Sequence, residues 1–404
     1  MHRRPILSLI ALSLLALSLS TGCPAEGNND NNTNNTNNTN NTNNDGGDET
    51  PDVEEDEEKD DTTNPTSGWV KTSVGCISGN PFIALHFDGQ TGYMGCGESS
   101  ENRGLFVTTD GGQTWSDSAR AFTEAQVVDI RRGPDGKLYG AGKDNLDGSR
   151  VFEIDDSTPE NPKLNGLFFP MTNSAFKKVE RAQNIAVTDD GQMFADDSVK
   201  RSAGYKPADS DEWQELEYVG EADSVRTITR VRALGDKFYA VGSTINDDAE
   251  IHLPSKTEPS PIFTTISPVS NRDIELQDFH IWSETKMIAV GVNNTQRFPV
   301  ILLGDGDLYE TSSWTQIDLA DSGIEYEGNI RGMAVRGDTV VVVGGKVPSS
   351  QGGFVLQSED AGKTWTDITP EPQTGKVTRL WNVWLWEDGG IYAAGESAGW
   401  RLTK

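Results

Sequence analysis

VVDIRRGPDGKLYGAGK (residues 127–143) and MAVRGDTVVVVGGK (residues 333–346) are two copies of one pattern. Each has an apolar run, a tight polar turn carrying Gly and Asp, and a second apolar run ending in small residues. Apolar runs on either side of such a turn read as a β-hairpin. The pattern returns as PFIALHFDGQTGYMGCGE at 81–98, IAVTDDGQMFADD at 185–197 and VRALGDKFYAVGS at 231–243. It returns again as FHIWSETKMIAVGV at 279–292 and VWLWEDGGIYAAGES at 383–397. The second strands end at Gly97, Gly142, Asp196, Gly242, Gly291, Gly344 and Gly395, so the seven copies are spaced 45, 54, 46, 49, 53 and 51 residues apart.

A second series runs in phase. After each hairpin the pattern predicts a third strand, a turn, and an aromatic opening a fourth strand: Trp115, Phe168, Trp213, Phe263, Trp314 and Trp365. The seventh hairpin is followed by Gly399–Thr403, a third strand, and then by Lys404. Its fourth strand is available at the other end, where Trp69, Val70 and Lys71 precede the first hairpin with no blade of their own. Four-stranded repeats of this length, with complementary ends, predict an all-β, seven-bladed β-propeller over residues 68–404, its ring closed by the N-terminal strand.

The flanking sequence gives an address. His2, Arg3 and Arg4 precede the apolar run ILSLIALSLLALSL at 6–19, which is too short for a comfortable membrane span and reads as an export signal. Ser20, Thr21, Gly22 and Cys23 follow and resemble the lipobox of bacterial lipoproteins, although Ser20 stands where that family usually has Leu. The resemblance implies a signal peptide at 1–22 and acylation of Cys23, with Pro24 resembling the pattern sorted to the outer membrane. Residues 24–67 are Asn/Thr-rich and then acidic, through VEEDEEKDD, and cannot bury a core. They are expected to be a disordered tether. The whole chain carries 34 Lys+Arg against 63 Asp+Glu, a net charge of −29. That balance argues against nucleic acid as a partner and leaves the acyl group as the contact with the membrane.

TTDGGQTW at 108–115 and SEDAGKTW at 358–365 match the Asp-box pattern, Ser/Thr-x-Asp-x-Gly-x-Thr-Trp. The propeller region therefore resembles the Asp-box (BNR) superfamily, which includes sialidases, other glycosidases, sortilin-like receptors and a photosystem II assembly factor. The resemblance implies a structural role for Asp110, Gly112, Trp115, Asp360, Gly362 and Trp365, at the blade periphery and away from any central site. It does not carry a function across, because one fold hosts many. A sialidase of this group needs three arginines on a sugar carboxylate and a Phe-Arg-Ile-Pro-like start. The nearest string here, Arg297-Phe298-Pro299, is in the wrong blade and order.

No catalytic constellation is recognisable, and no cofactor is expected. His86 and His280 occupy first strands, as a channel pair for metal or acid–base work or as two unrelated strand histidines. Asp155-Asp156 and Asp305-Gly306-Asp307 offer oxygen ligands but lack an EF-hand loop, so solvated turns are expected and no metal site is assigned. Cys76 and Cys96 flank the first hairpin, either as a disulfide or as two buried thiols. Arginines cluster near the ends of first strands: Arg131, Arg132, Arg226, Arg230, Arg232, Arg331, Arg336 and Arg379. Of these, Arg226, Arg230, Arg331 and Arg379, with Trp381, are the candidate ligand-binding residues, suited to a carboxylate or a stacked sugar. Strand alternation predicts Trp384 on the opposite face from Trp381 and Leu385. The expected function is non-catalytic binding or scaffolding of a protein or polysaccharide partner in the cell envelope. The alternative is a glycan-active hydrolase with divergent catalytic residues.

Overall fold

A computed structural model describes residues 68–72, 83–96, 104–116, 125–144, 151–167, 182–197, 202–216, 227–244, 248–258, 261–269, 273–348, 352–371, 376–396 and 398–403. Among the described residues the chain forms seven antiparallel sheets. Blade 1 joins Ile83–Asp88, Thr91–Cys96 and Gly104–Thr108, and a bridge from Val107 to Ser116 stands in place of a fourth strand. Blade 2 runs through Ala125–Arg132, Leu138–Asp144, Val151–Asp155 and Lys163–Leu167. Blade 3 uses Asn184–Val187, Met193–Asp197, Ser202–Lys206 and Gln214–Leu216. Blade 4 uses Thr227–Leu234, Lys237–Ser243, Ala249–Pro254 and Phe263–Ile266. Blade 5 is Ile274–Ser283, Lys286–Asn293, Pro299–Asp305 and Trp314–Gln316. Blade 6 is Gly328–Arg336, Thr339–Lys346, Gly353–Ser358 and Thr366–Asp367.

Both ends of the chain build blade 7. Leu380–Leu385, Ile391–Gly395 and Gly399–Leu402 are completed by Trp69–Thr72, which pairs antiparallel with the last strand from Trp69↔Leu402 to Thr72↔Gly399. The Trp69 indole is buried and donates from Nε1 to the Ile368 carbonyl of blade 6 at 2.8 Å. Each blade's first strand touches the first strands of the blades before and after it, blade 7 touching blade 1. The seven inner strands thus surround a central channel. This is a seven-bladed β-propeller.

Four of the six expected aromatics stand at or beside fourth strands, and Trp115 stands beside the Ser116 bridge of blade 1. Phe263 and Trp314 open theirs, while Trp213 and Trp365 stand one residue ahead. In blade 2 the strand Lys163–Leu167 ends before Phe168, which lies outside the described residues. Leu164 and Leu167, on opposite faces of that strand, pack it against the two neighbouring clusters.

The glycines that align the repeats have a packing reason. Inner strands bulge between Val127 and Asp129, Ile228 and Arg230, Leu276 and Asp278, Ile330 and Gly332, and Leu380 and Asn382. A bulge inserts one residue and sharpens the local bend. Just before it, a carbonyl leans over the second strand. A Cβ on Gly142, Gly291 or Gly344 would come within 1.7, 2.0 or 2.0 Å of the Gln126, Glu275 or Asn329 carbonyl oxygen. Blade 3 has Asp196 at this position, and its inner strand Asn184–Val187 pairs without a register shift. In blades 2, 4, 5, 6 and 7 the glycine and the bulge occur together.

Gly344→Ala is expected to lower stability by about 1–3 kcal/mol through overpacking against the Asn329 carbonyl, read as a shift in urea midpoint. Trp69→Ala is expected to cost about 3–5 kcal/mol. A chain beginning at Gly75, without the closing strand, should lose its single cooperative melting transition. Unchanged two-state melting of that chain would contradict ring closure by Trp69–Thr72.

Candidate functional site

The bulges place polar side chains at one level of the channel. Asp129, Arg230, Asp278 and Asn382 each follow the inserted residue of their strand. Three of them turn back on their own backbone. Asp129 Oδ1 accepts from Ile130 N at 3.1 Å, Asp278 Oδ1 from Phe279 N at 2.9 Å, and Asn382 Oδ1 from Val383 N at 2.8 Å. The second oxygen of each carboxylate reaches the next blade: Asp129 Oδ2 accepts from Ile185 N, and Asp278 Oδ2 from Met333 N, both at 3.1 Å. These aspartates therefore satisfy backbone donors of two inner strands at once, which keeps buried N–H groups paired.

Arginines complete the cluster. Arg131 Nη2 lies 3.2 Å from Asp129 Oδ1, and Arg230 spans the two carboxylates at 3.6 Å from each. Arg232 Nη2 donates to Asp278 Oδ1 at 2.6 Å and its Nε to the Phe279 carbonyl. Burial pushes the Asp278 carboxyl up, but Arg232, Arg230, Arg131 and the Phe279 N–H outweigh it and hold the carboxyl below its usual range. Burial lowers Arg131 to about 10, opposed by Asp129 and reinforced by Arg232 and Arg230. His280 lines the same cavity and is lowered to about 4 by burial and by Arg232, against the pull of Asp278. It is neutral near neutral pH.

The candidate residues divide between two places. Arg230 belongs to the channel cluster. Arg331 is the inserted residue of blade 6's bulge and Trp381 that of blade 7's, and the Arg331 guanidinium lies 3.9 Å over the Trp381 ring. Arg379 pairs with Glu396 at 3.5 Å, and burial together with Arg379 lowers Arg331 to about 10 despite Glu275 and Glu396. Both residues precede the cavity-lining stretches of their strands, so this patch faces the end of the channel where the inner strands begin. Arg226 lies outside the described residues. Arg132 and Arg336 are held elsewhere, by Asp88 and Asp156 and by Glu387.

The alternation expected for Trp381 and Trp384 is corrected. The bulge between Leu380 and Asn382 inverts the period, so Trp381, Trp384 and Trp386 all pack against one cluster with Leu85, Phe87, Phe106 and Tyr392. Leu380, Val383 and Leu385 pack into the neighbouring one. The histidines are not brought together as a cavity pair. His86 is buried 3.4 Å from Asp88 and 5.1 Å from the Trp384 ring, and it does not line the cavity. Asp307 accepts from Tyr309 N and pairs with Lys256, and Asp155 accepts from Ser157 N. Among the described residues no group of three or more His, Cys, Asp and Glu is placed to hold a metal ion.

The aspartate carboxylates of the two Thr/Ser-x-Asp turns bond within their own turns. Asp110 accepts from Thr108 Oγ1 at 2.7 Å and Thr114 Oγ1 at 2.6 Å, while Gly112 N donates to Thr108 Oγ1. Asp360 repeats this with Ser358 at 2.8 Å and Thr364 at 2.7 Å, and Gly362 N donates to Ser358 Oγ. Gly112 and Gly362 have φ of 83° and 90°, where a side chain is strained. Trp115 donates to the Tyr392 hydroxyl and Trp365 to the Gly362 carbonyl. Cys96 is buried and disulfide-bonded, while Cys76 and Cys23 lie outside the described residues.

Sequence reasoning picked out the arginines but missed Asp129 and Asp278. The available signal was an acidic residue in the middle of a first strand, with an arginine two residues later in blade 2. No family model matches the chain, and no curated protein matches it. Solved structures do. YCF48 from Cyanidioschyzon merolae aligns with a TM-score of 0.55 at 13% identity, over 83% of this chain and 98% of that one. A structure described as YCF48 bound to D1 peptide aligns at 0.52 and 14%, over 84% and 97%. Virginiamycin B lyase from Staphylococcus aureus aligns at 0.54 and 11%, over 83% and 99%. At these identities the likeness is one of fold.

Asp278→Asn should cost about 3–5 kcal/mol in denaturant unfolding, because it leaves Arg230 and Arg232 buried with too little opposing charge. Asp360 predicts a pH effect. Burial opposes ionisation there, but bonds from Thr364 and Ser358 lower its pKa from 3.8 to about 2. A lowered carboxylate pKa stabilises the fold above the unfolded value and loses that effect as pH falls through the folded one. The stability gap between parent and Asp360→Asn should therefore narrow from pH 3.8 down to about 2 and stay flat above that window.

Proposed function

We propose that this chain is an exported lipoprotein, acylated on Cys23 and held by the 24–67 tether at a bacterial outer membrane, whose propeller is a non-catalytic binding or scaffolding module of the Asp-box type. Its partner is a protein or polysaccharide of the envelope. One observation carries the binding reading: the Arg331 guanidinium lies 3.9 Å over Trp381 with Arg379 beside it, at the channel end where inner strands begin. Two guanidiniums and an indole together suit a carboxylate on a partner chain or an acidic sugar. The Trp381 Nε1 donor is buried without a hydrogen-bond partner. The peptide carried by one YCF48 structure supports the use of this fold for protein recognition. The fold itself is neutral, since a lyase shares it.

Affinity capture from detergent-solubilised envelope tests the reading. A defined polypeptide or polysaccharide should be retained by the parent and lost with Arg331→Ala/Arg379→Ala. Retention of the same species by both would remove this patch from the function. Labelled fatty acid should be incorporated by the parent and not by Cys23→Ala, and incorporation by the variant would overturn the anchor.

A further inference from the structure

Between blades 5 and 6, at the end where inner strands begin, lies a groove of about 650 Å³. Its walls are the turn after Lys286–Asn293, the start of Pro299–Asp305, and residues 316–327, which lead into the inner strand Gly328–Arg336. The volume falls within the roughly 300–1,000 Å³ of ligand pockets. Phe298 in the wall is 49% exposed, one of three large apolar side chains left open among the described residues. Ile317 and Tyr326 are half-buried in the same wall, above Leu319 and Ile324 of the core between the two blades.

The lining carries Asp318, Glu325 and Glu327 and no Lys, Arg or His. All three carboxylates are exposed, and none makes an ion pair among the described residues. Asp318 Oδ1 accepts from Ala320 N at 2.9 Å. Two cations stand at the border without lining the groove: Lys346, held 4.3 Å over the Tyr326 ring, and Arg297, which precedes Phe298. The main chain is open as well. Ile324 N donates to the Leu319 carbonyl and Val347 N to the Glu327 carbonyl, but Glu325 and Tyr326 make no backbone hydrogen bond among the described residues. The Tyr326 hydroxyl is buried without a partner, and burial raises its pKa, so it keeps its proton. An acidic chain puts carboxylates on many faces. Here they converge with an exposed aromatic ring and an unpaired stretch of main chain.

An extended peptide brings the complementary set: main-chain donors and acceptors, side chains for pockets, and fixed charge. A small inorganic cation would leave Phe298 and the open main chain without a contact. We propose that this groove binds an extended peptide segment of a partner protein in which Lys or Arg neighbours an apolar residue. Its cations meet Asp318, Glu325 and Glu327, its apolar side chain covers Phe298 and Ile317, and its main chain bonds to that of Glu325 and Tyr326. The groove shares no residue with the Arg331–Trp381 patch and calls for the opposite charge, so it does not rest on the reading given to that patch.

Titration calorimetry of the full chain at neutral pH and low salt tests this with the peptide acetyl-Lys-Phe-Lys-Leu-Lys-amide. The comparisons are the same peptide with Glu at every Lys position, and spermidine. Spermidine carries the charge of the lysine peptide without its apolar and peptide groups, and also reports attraction to the acidic run before the propeller. The lysine peptide should bind at least about fivefold more tightly than spermidine, and the glutamate peptide should not bind. Equal binding of spermidine would reduce the groove to charge alone and overturn the proposal, as would binding of the glutamate peptide. Glu325→Gln/Glu327→Gln removes two exposed, unpaired carboxylates and Phe298→Ser an exposed ring, so both variants should melt like the parent. Each should weaken the lysine peptide at least about fivefold, whereas Arg331→Ala/Arg379→Ala should bind it as the parent does. Undiminished binding by both groove variants would place the peptide elsewhere, and no heat at millimolar peptide would sink the site. Either result leaves the envelope capture through Arg331 and Arg379 to succeed or fail by itself.

Discussion

The inner-strand bulge is the constraint on which the rest of this propeller depends. Seven strands must pack side by side around a narrow channel, and an extra residue in five of them bends each toward its neighbour. The bend brings a carbonyl so close to the second strand that only glycine fits beneath it, as at Gly142, Gly291 and Gly344. Where the chain has Asp196 instead, the inner strand is regular. A repeated glycine, a repeated bulge and a closed ring are one feature described at three scales.

The bulge also explains why charged groups lie in the middle of a β-protein. Each inner strand is the edge of its sheet, so N–H groups on its channel side have no ladder partner. Asp129 and Asp278 supply acceptors to those groups and reach into the following blade. Burying the carboxylates then calls for counter-charge, which Arg131, Arg230 and Arg232 provide. The stabilising bonds are to the backbone, and Asp196 adds a third buried carboxylate acting on Arg230.

One residue earlier along the inner strands, two inserted residues, Arg331 and Trp381, meet as a stacked pair. Their meeting could not be read from strand periodicity. Simple alternation puts Trp381 and Trp384 on opposite faces, and the one-residue insertion puts them on the same one. The arginine cluster was legible as a composition anomaly in an acidic chain. Its division into a channel set and a surface patch was not, because Arg230 and Arg331 lie a similar distance from their turns and differ only in where the bulge falls.

The repeat pattern of this chain determined by itself that the fold is all-β, that it has seven units, and that the first strand must complete the last. Those conclusions follow from local turn chemistry and from the spacing of aromatics and glycines. Sequence also placed the two Thr/Ser-x-Asp turns, whose aspartate carboxylates bond within four residues. Only the tertiary structure decided the rest: that Asp129 faces Arg230 across an intervening blade, that Arg331 stacks on Trp381, and that Arg131, Arg230 and Arg232 line one cavity with Asp129 and Asp278. These contacts join residues tens to hundreds of positions apart. They are set by the bend and closure of the ring, which no local pattern encodes.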